Sequence, residues 1–399
     1  MQHGGVCLKE RRMNTVEESG ASQRDTRVDL LRGAALLMIF VDHVPGNVLG
    51  DFTLRNFGFS DAAELFVLVA GFSAMAAYGR VFARRGYQAG FIKVFNRCIK
   101  LYGVQVALML VTLVVVLAWT SSAGYEAIIV GPMLKDGLHG AMRGVMLSAL
   151  PAYLDILPLY LILIAAFPLV YVGLSRMPRI TLLASLAIYL AANLTRFNLT
   201  NRVDLAKTTE WMFDPFAWQF IFVIGAAMAL VSAKHGGLPR SRGLSRACRF
   251  YLLFALIAAA PGHLWSNNWL DELRPLSFFN DPKVYLSPLR LLDALAMVYL
   301  ALTSKRLERW SQAWIFTPLL RCGRHSLEIF ATGTVLALFG RLAFRTWGEG
   351  VTMQIMINVT GFGILLALSY LLEKKPSQLG RFGTKADAPL IEDRMRRTV

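Results

Sequence analysis

Apolar blocks of close to 20 residues recur along most of this chain, and that pattern leaves few folds open. A helix of that length spans the roughly 30 Å hydrocarbon core of a bilayer. Lipid offers backbone groups no partner, so each block must be a helix that satisfies itself. Only 17% of the 399 residues are charged, against about 25% in a soluble domain, and the deficit falls within the blocks. Ten spans are expected, near 28–48, 62–82, 94–118, 152–173, 179–194, 212–232, 248–265, 286–303, 319–339 and 353–373. The expected fold is all-α: a polytopic integral membrane protein of about ten transmembrane helices. Residues 27–373 form the membrane domain, flanked by a polar tail, 1–26, and a basic tail, 374–399, both expected to be disordered.

A net charge of +16 raises the question of nucleic acid. The distribution of that charge argues for another cause. With a cytoplasmic N-terminus, alternate connections gather Arg80, Arg84, Arg85, Arg240, Arg246, Lys305 and Arg309 on one side. By these boundaries roughly 30 of the 42 Lys and Arg lie inside and about 11 outside, as the positive-inside rule requires. No nucleic-acid partner is needed, and both termini are expected in the cytoplasm. The segment 138–150 is apolar but carries His139 and Arg143. As a further span it would invert every later loop, so an interfacial or re-entrant position is expected. Glu17 and Glu18 differ from the basic start of a signal peptide, so span one is expected to be retained. Cys7, Cys98, Cys248 and Cys322 fall on or near the cytoplasmic side and are expected as thiols. Their spacing suggests no metal site, and there is no P-loop, GxGxxG or HExxH.

Against this apolar background, ionisable residues stand out. An Asp, Lys or Arg at a helix centre costs roughly 2.5–3.5 kcal/mol on insertion scales, yet span one holds Asp29, Arg32, Asp42 and His43. Eleven helical steps bring Arg32 and His43 to one face, about 16 Å apart along the axis. A bland alternative is an interfacial Asp29–Arg32 pair with His43 as an interhelical hydrogen-bonder. Asp61-x-x-Glu64 fits a capping box at the start of span two, although Glu64 also lies at a depth similar to that of His43. On the outer side stand Asp155, Asp214, Trp218, Gln219, Arg290 and Asp293, with Trp265, Asn267, Asn268 and Trp269 after span seven. Membrane-interface tryptophans usually form an aromatic belt, but rings mixed with Asp, Asn and Gln also suit a carbohydrate. On the inner side, Arg97 and the stretch Cys322-Gly-Arg324-His325-Ser-Leu-Glu328 could clamp phosphates or serve as topogenic charge and helix caps.

The run Asp29-x-x-Arg32-Gly33 followed by Asp42-His43 resembles the first helix of the acyltransferase-3 class of membrane enzymes, with its Arg-x10-His pattern. Four further stretches are similar to one branch, the OpgC family: Phe57-Gly-Phe-Ser-Asp-Ala-Ala-Glu64-Leu-Phe-Val, Leu154-Asp-Ile-Leu-Pro-Leu-Tyr160, Asp214-Pro-Phe-Ala-Trp-Gln219 and Gly323-Arg-His-Ser-Leu-Glu-Ile-Phe330. One departure is Ala70-Gly71, where these enzymes often have Ser-Gly. A small residue is kept for close helix packing but a hydroxyl is lost. The resemblance implies transfer of an acyl group, for this branch succinyl, from cytoplasmic acyl-CoA to hydroxyls of a periplasmic glucan. Acyl-CoA is then a co-substrate and no bound cofactor is implied.

Carried onto this chain, the motif histidine is His43 and the motif arginine Arg32. His43 is the expected general base, with Glu64 preferred over Asp42 as its orienting carboxylate. Arg32, Asp29, Arg97, Arg324 and His325 are the expected acyl-CoA contacts. Asp61, Asp155, Trp218, Gln219, Arg290 and Asp293 are the expected acceptor contacts. A pantetheine arm of about 15–20 Å matches the Arg32–His43 separation. The rival class is a secondary transporter or flippase for an envelope saccharide, which buried ionisable groups also fit. The proline interruptions cluster in span four and lack a counterpart in a second half, which favours the enzyme. The expected topology is checked by reporters fused at Gly236 and Asn268, which should report opposite sides of the membrane. The same side for both would break the scheme.

Overall fold

A computed structural model describes residues 25–119, 124–207, 209–259 and 283–374. Cys7, the group Trp265, Asn267, Asn268 and Trp269, and most of the two expected tails lie outside the described residues. The described chain is helical almost throughout. Helix α1 is Thr26–Asp42, capped by the Asp25 carboxylate on the Arg27 amide. After two 3-10 turns, Val48–Phe52 and Leu54–Asn56, come α2 (Ala62–Ala74) and α3 (Arg80–Ala118). Next are α4 (Gly124–Lys135), α5 (Gly137–Val145), α6 (Ile156–Arg176) and α7 (Pro178–Thr195). A short antiparallel pair, β1 (Thr200–Asn201) and β2 (Thr209–Glu210), precedes α8 (Pro215–His235) and α9 (Arg242–Ala259). The chain continues through α10 (Pro288–Thr303), α11 (Lys305–Trp310), α12 (Thr317–Arg324), α13 (Ser326–Trp347) and α14 (Val351–Lys374).

Among the described residues, six helices are long and apolar enough to cross a membrane: the continuous Ala62–Ala118 rod, α6, α7, α8, α13 and α14. The rod joins α2 to α3 through a π-helical turn at Met75–Gly79 and bends at Gly86, whose φ of +80° only glycine adopts readily. It contains the expected second and third spans end to end. The expected spans one, seven and eight correspond to α1, α9 and α10. Helices α1 and α10 have only 17 and 16 residues, and α9 opens with Arg242, Arg246 and Arg249. The expected span 319–339 is divided at His325, so that the long helix begins at Ser326. The segment 138–150 holds α5 and a turn, with Leu138 and Met146 exposed.

Two backbone contacts set the packing. A Cβ on Gly33 would lie 2.0 Å from the Leu319 carbonyl oxygen, and one on Gly323 would lie 1.9 Å from that of Asp29. Helices α1 and α12 therefore touch backbone to backbone on both sides of the contact. The same reciprocity joins α2 to α8: a Cβ on Gly71 would sit 2.0 Å from the Phe222 oxygen, and one on Gly225 2.1 Å from that of Leu68. Small residues permit such approaches, and dispersion holds them where the hydrophobic effect is weak. Around these contacts Phe40, Phe167, Trp218 and Phe222 are enclosed in one apolar cluster.

Helix α1 ends at Asp42, before the expected limit of the span. The turn beyond it is held from α14: Asn47 and Asn358 exchange hydrogen bonds of 2.9 Å, and Gln354 Nε2 donates to the Gly46 carbonyl at 2.7 Å. His43 therefore stands at a helix terminus that a distant helix fixes in place. Gly225→Val should separate α2 from α8 and destabilise the protein by about 1–3 kcal/mol, the usual cost of overpacking. Gly363→Ala, where the new methyl meets open space, should leave stability nearly unchanged. Thermal unfolding of the two purified variants is the check.

Candidate active site

The site is built around the end of α1. The His43 ring packs edge-on against Tyr153, with ring centres 5.1 Å apart. Tyr153 lies in the turn before α6 and adopts a left-handed backbone, φ 71°. Over the Tyr153 ring lies the Arg341 guanidinium of α13, 4.2 Å from the ring centre. Arg341 Nη1 also donates to the His43 carbonyl at 2.9 Å. The Nδ1 atom of His43 is buried and makes no hydrogen bond among the described residues. Asp42, next in sequence, turns away. It accepts from the Thr53 hydroxyl at 2.7 Å and lies 3.4 Å from Arg55.

Two members of a four-charge cluster, Asp61 and Lys283, stand within electrostatic reach of His43, as does Arg341. Asp61 is the N-cap of α2, accepting from the Ala63 amide, and Glu64 accepts from the Asp61 amide at 2.9 Å, which completes the expected capping box. The same two carboxylates take cations from the segment entering α10. Arg290 donates to Glu64 at 2.7 Å and to Asp61 at 3.0 Å, while Lys283 reaches Asp61 at 2.7 Å. Glu64 is 0% exposed, so it needs that partner. Burial disfavours charge on Asp61 and Lys283, but the pairing outweighs it. Lys283 and Arg290 hold the Asp61 carboxyl well below the usual carboxylate range, and Asp61 with Glu64 raises the Lys283 ammonium.

The expected Glu64–imidazole hydrogen bond is not made, since one Glu64 oxygen serves the cap and the other serves Arg290. Asp61 and Arg290, both expected acceptor contacts, meet directly. Asp293 is close by, accepting from the Ser60 amide and hydroxyl at 3.0 and 2.6 Å, and its second oxygen has no hydrogen-bond partner among the described residues. Asp155 is buried at the head of α6 and senses the Lys283 charge.

Two expected acceptor contacts are corrected by their surroundings. Trp218 is 0% exposed and has no face to offer a sugar. Its Nε1 donates to the Lys283 and Val284 carbonyls at 3.0 Å, so it fixes the backbone that carries Lys283. Gln219 is spent on helix packing. Its amide nitrogen donates to the carbonyls of Ser185 and Phe216, and its oxygen accepts from the Ser185 hydroxyl.

At the other end of α1, buried Arg32 donates to the Val69 carbonyl at 3.4 Å. Tyr78 is within electrostatic reach of both Arg32 and Arg97, and Arg97 hydrogen-bonds Tyr160 and senses Glu328. Arg324 pairs with Glu373 at 2.6 Å and lies 3.7 Å from buried Asp29. His325 forms the joint between α12 and α13, its amide bonded to the Arg321 carbonyl. Residues 32 and 97 thus share Tyr78 as a neighbour, while 324 and 29 tie helix ends together.

Sequence reasoning missed Tyr153, Lys283 and Arg341. Arg341 had a signal: a lone arginine in an apolar stretch, as with Arg32. Ending the ninth span at 339 left it outside. Lys283 carried no local mark.

The family model described as OpgC protein matches residues 24–377, which takes in every described helix. No curated protein matches the chain. Removing the Arg290 charge should strand buried Glu64. Arg290→Gln is expected to cost about 3–5 kcal/mol, as when a buried pair loses one member, and adding Glu64→Gln should recover most of it. A double-mutant cycle by thermal unfolding measures the coupling.

Proposed function

This chain belongs to the OpgC family, and on that premise we propose that it moves a succinyl group from cytoplasmic succinyl-CoA to hydroxyls of a periplasmic glucan. Family membership and the six long apolar helices support the broader statement, a membrane acyltransferase-type role. In the proposed topology the protein lies in a bacterial cytoplasmic membrane with ten spans and both termini in the cytoplasm. Helices α1, α9 and α10 complete the set. At 1.5 Å per residue α1 covers about 25 Å, and the turn after it supplies the rest.

The observation that carries the proposal is the buried Nδ1 of His43, without a hydrogen bond among the described residues, at the end of the helix that also holds Arg32. Arg32 and Arg97 attract the phosphates of the donor, and the pantetheine arm runs along α1. His43 takes the proton of a glucan hydroxyl as that oxygen attacks the thioester carbonyl. The C–S bond then breaks, the ester forms, and the departing thiolate recovers the proton from His43. Arg341, whose guanidinium bonds the His43 carbonyl and covers Tyr153, brings positive charge to the place where the tetrahedral oxyanion develops. The Asp61–Glu64–Lys283–Arg290 cluster offers paired donors and acceptors to the sugar.

His43→Ala should remove the succinyl mass increment from envelope glucans while the protein still inserts. Wild-type product would sink the catalytic role. Arg32→Ala should raise the KM for succinyl-CoA more than it lowers kcat. An unchanged KM would assign Arg32 to packing alone.

A further inference from the structure

A second concentration of positive charge lies away from this site. The start of α9, the end of α10 and α11 enclose a cleft of about 650 Å³ lined by Arg240, Arg249, Lys305, Arg306 and Arg309, with the hydroxyl residues Ser245, Thr303 and Ser304. Arg242 and Arg246 line the adjoining space. No carboxylate lines either space, and none of these cations forms an ion pair among the described residues. The one acid of α11, Glu308, faces Arg27 instead, at 3.8 Å.

We propose that this cleft is a headgroup site for an anionic phospholipid. Topogenic charge needs only to be on the right side of the membrane; it does not need to converge. Five cations drawn into one concavity repel one another, and an anion relieves that repulsion. The cleft is also built. Tyr299 of α10 accepts from the Ser241 amide at 3.0 Å and donates to the Pro239 carbonyl at 3.2 Å, which pins the loop carrying Arg240 against α10.

Its surroundings suit a lipid better than a soluble phosphate. From the same helix as Arg246 and Arg249, the side chains of Phe250, Leu253, Phe254 and Ile257 are exposed, an apolar strip for acyl chains directly beyond the charges. Just past α11, Trp314 is 84% exposed beside exposed Ile315, and Trp310 is exposed on α11 itself. Such tryptophans sit at headgroup level. The path proposed for the acyl donor, by contrast, starts at Arg32 and Arg97 and runs along α1. The lipid site is independent of that reading.

The test uses the full chain in a neutral detergent and native mass spectrometry, with phosphatidylglycerol and phosphatidylcholine of identical acyl chains. Wild-type protein should retain phosphatidylglycerol at least about tenfold better, since each nearby cation contributes about 1 kcal/mol at an anionic surface and 1.4 kcal/mol is tenfold. The variant R249Q/R306Q/R309Q should lose that preference, whereas R176Q/R179Q, on the turn between α6 and α7, should keep it. Equal retention of both lipids by wild type would overturn the proposal without any variant. So would an unchanged preference in the triple variant, or an equal loss in R176Q/R179Q, which would mean diffuse charge. Displacement of phosphatidylglycerol by 3′,5′-ADP would assign the cleft to a soluble phosphate carrier instead.

Discussion

A carboxylate with no exposed surface inside a membrane helix needs a cation, and that requirement organises the part of this protein around the head of α2. Glu64 finds Arg290, so α2 and α10 are joined across more than two hundred residues of sequence. Asp61 extends the pair to Lys283. Lys283 is in turn held by Trp218 through its own carbonyl, which brings α8 into the same assembly. Leaving any one of these charges unpaired costs more than the pair contributes in net stability. The cluster is therefore better understood as fixing the arrangement of three helices than as a source of stability.

Close backbone contact does the corresponding work elsewhere. Gly33 with Gly323 seats α12 against α1, and Gly71 with Gly225 seats α8 against α2. The first contact brings Arg324 towards Asp29 and fixes the surroundings of Arg32. The second keeps α2 in register with α8, so that the capping box at the head of α2 meets the segment anchored by Trp218. Helix α1 is thus located at one end by α12 and at the other by α14 and Arg341. His43 has its position imposed on it from both sides, which is the preorganisation required by the base proposed above.

Positive charge plays two different parts here. In the Asp61–Glu64–Lys283–Arg290 cluster every cation has a carboxylate partner, and the group is close to neutral. In the cleft of α9–α11 the cations have none among the described residues. The first arrangement shapes a polar surface that can hydrogen-bond hydroxyls. The second holds an excess of field that only an external anion balances. In the proposed topology the two lie on opposite sides of the membrane.

The sequence alone determined the helical class, the blocks that became the Ala62–Ala118 rod, α6, α7, α8, α13 and α14, the capping box of Asp61 and Glu64, and the isolation of Arg32 and His43 in one apolar stretch. Each of these follows from local chemistry: the length of an apolar run, the spacing of a cap, or the cost of a charge in lipid. Only the tertiary structure decided that Glu64 serves Arg290 and not His43, that Trp218 is enclosed, and that Arg341 and Tyr153 flank the imidazole. It also decided that α1 stops at Asp42. The partners involved are separated by up to about three hundred positions, as with Arg341 and the His43 carbonyl. Helical periodicity carries no information about which distant helix fills a given face, and side chains of the same type satisfy a buried charge equally well until packing selects one.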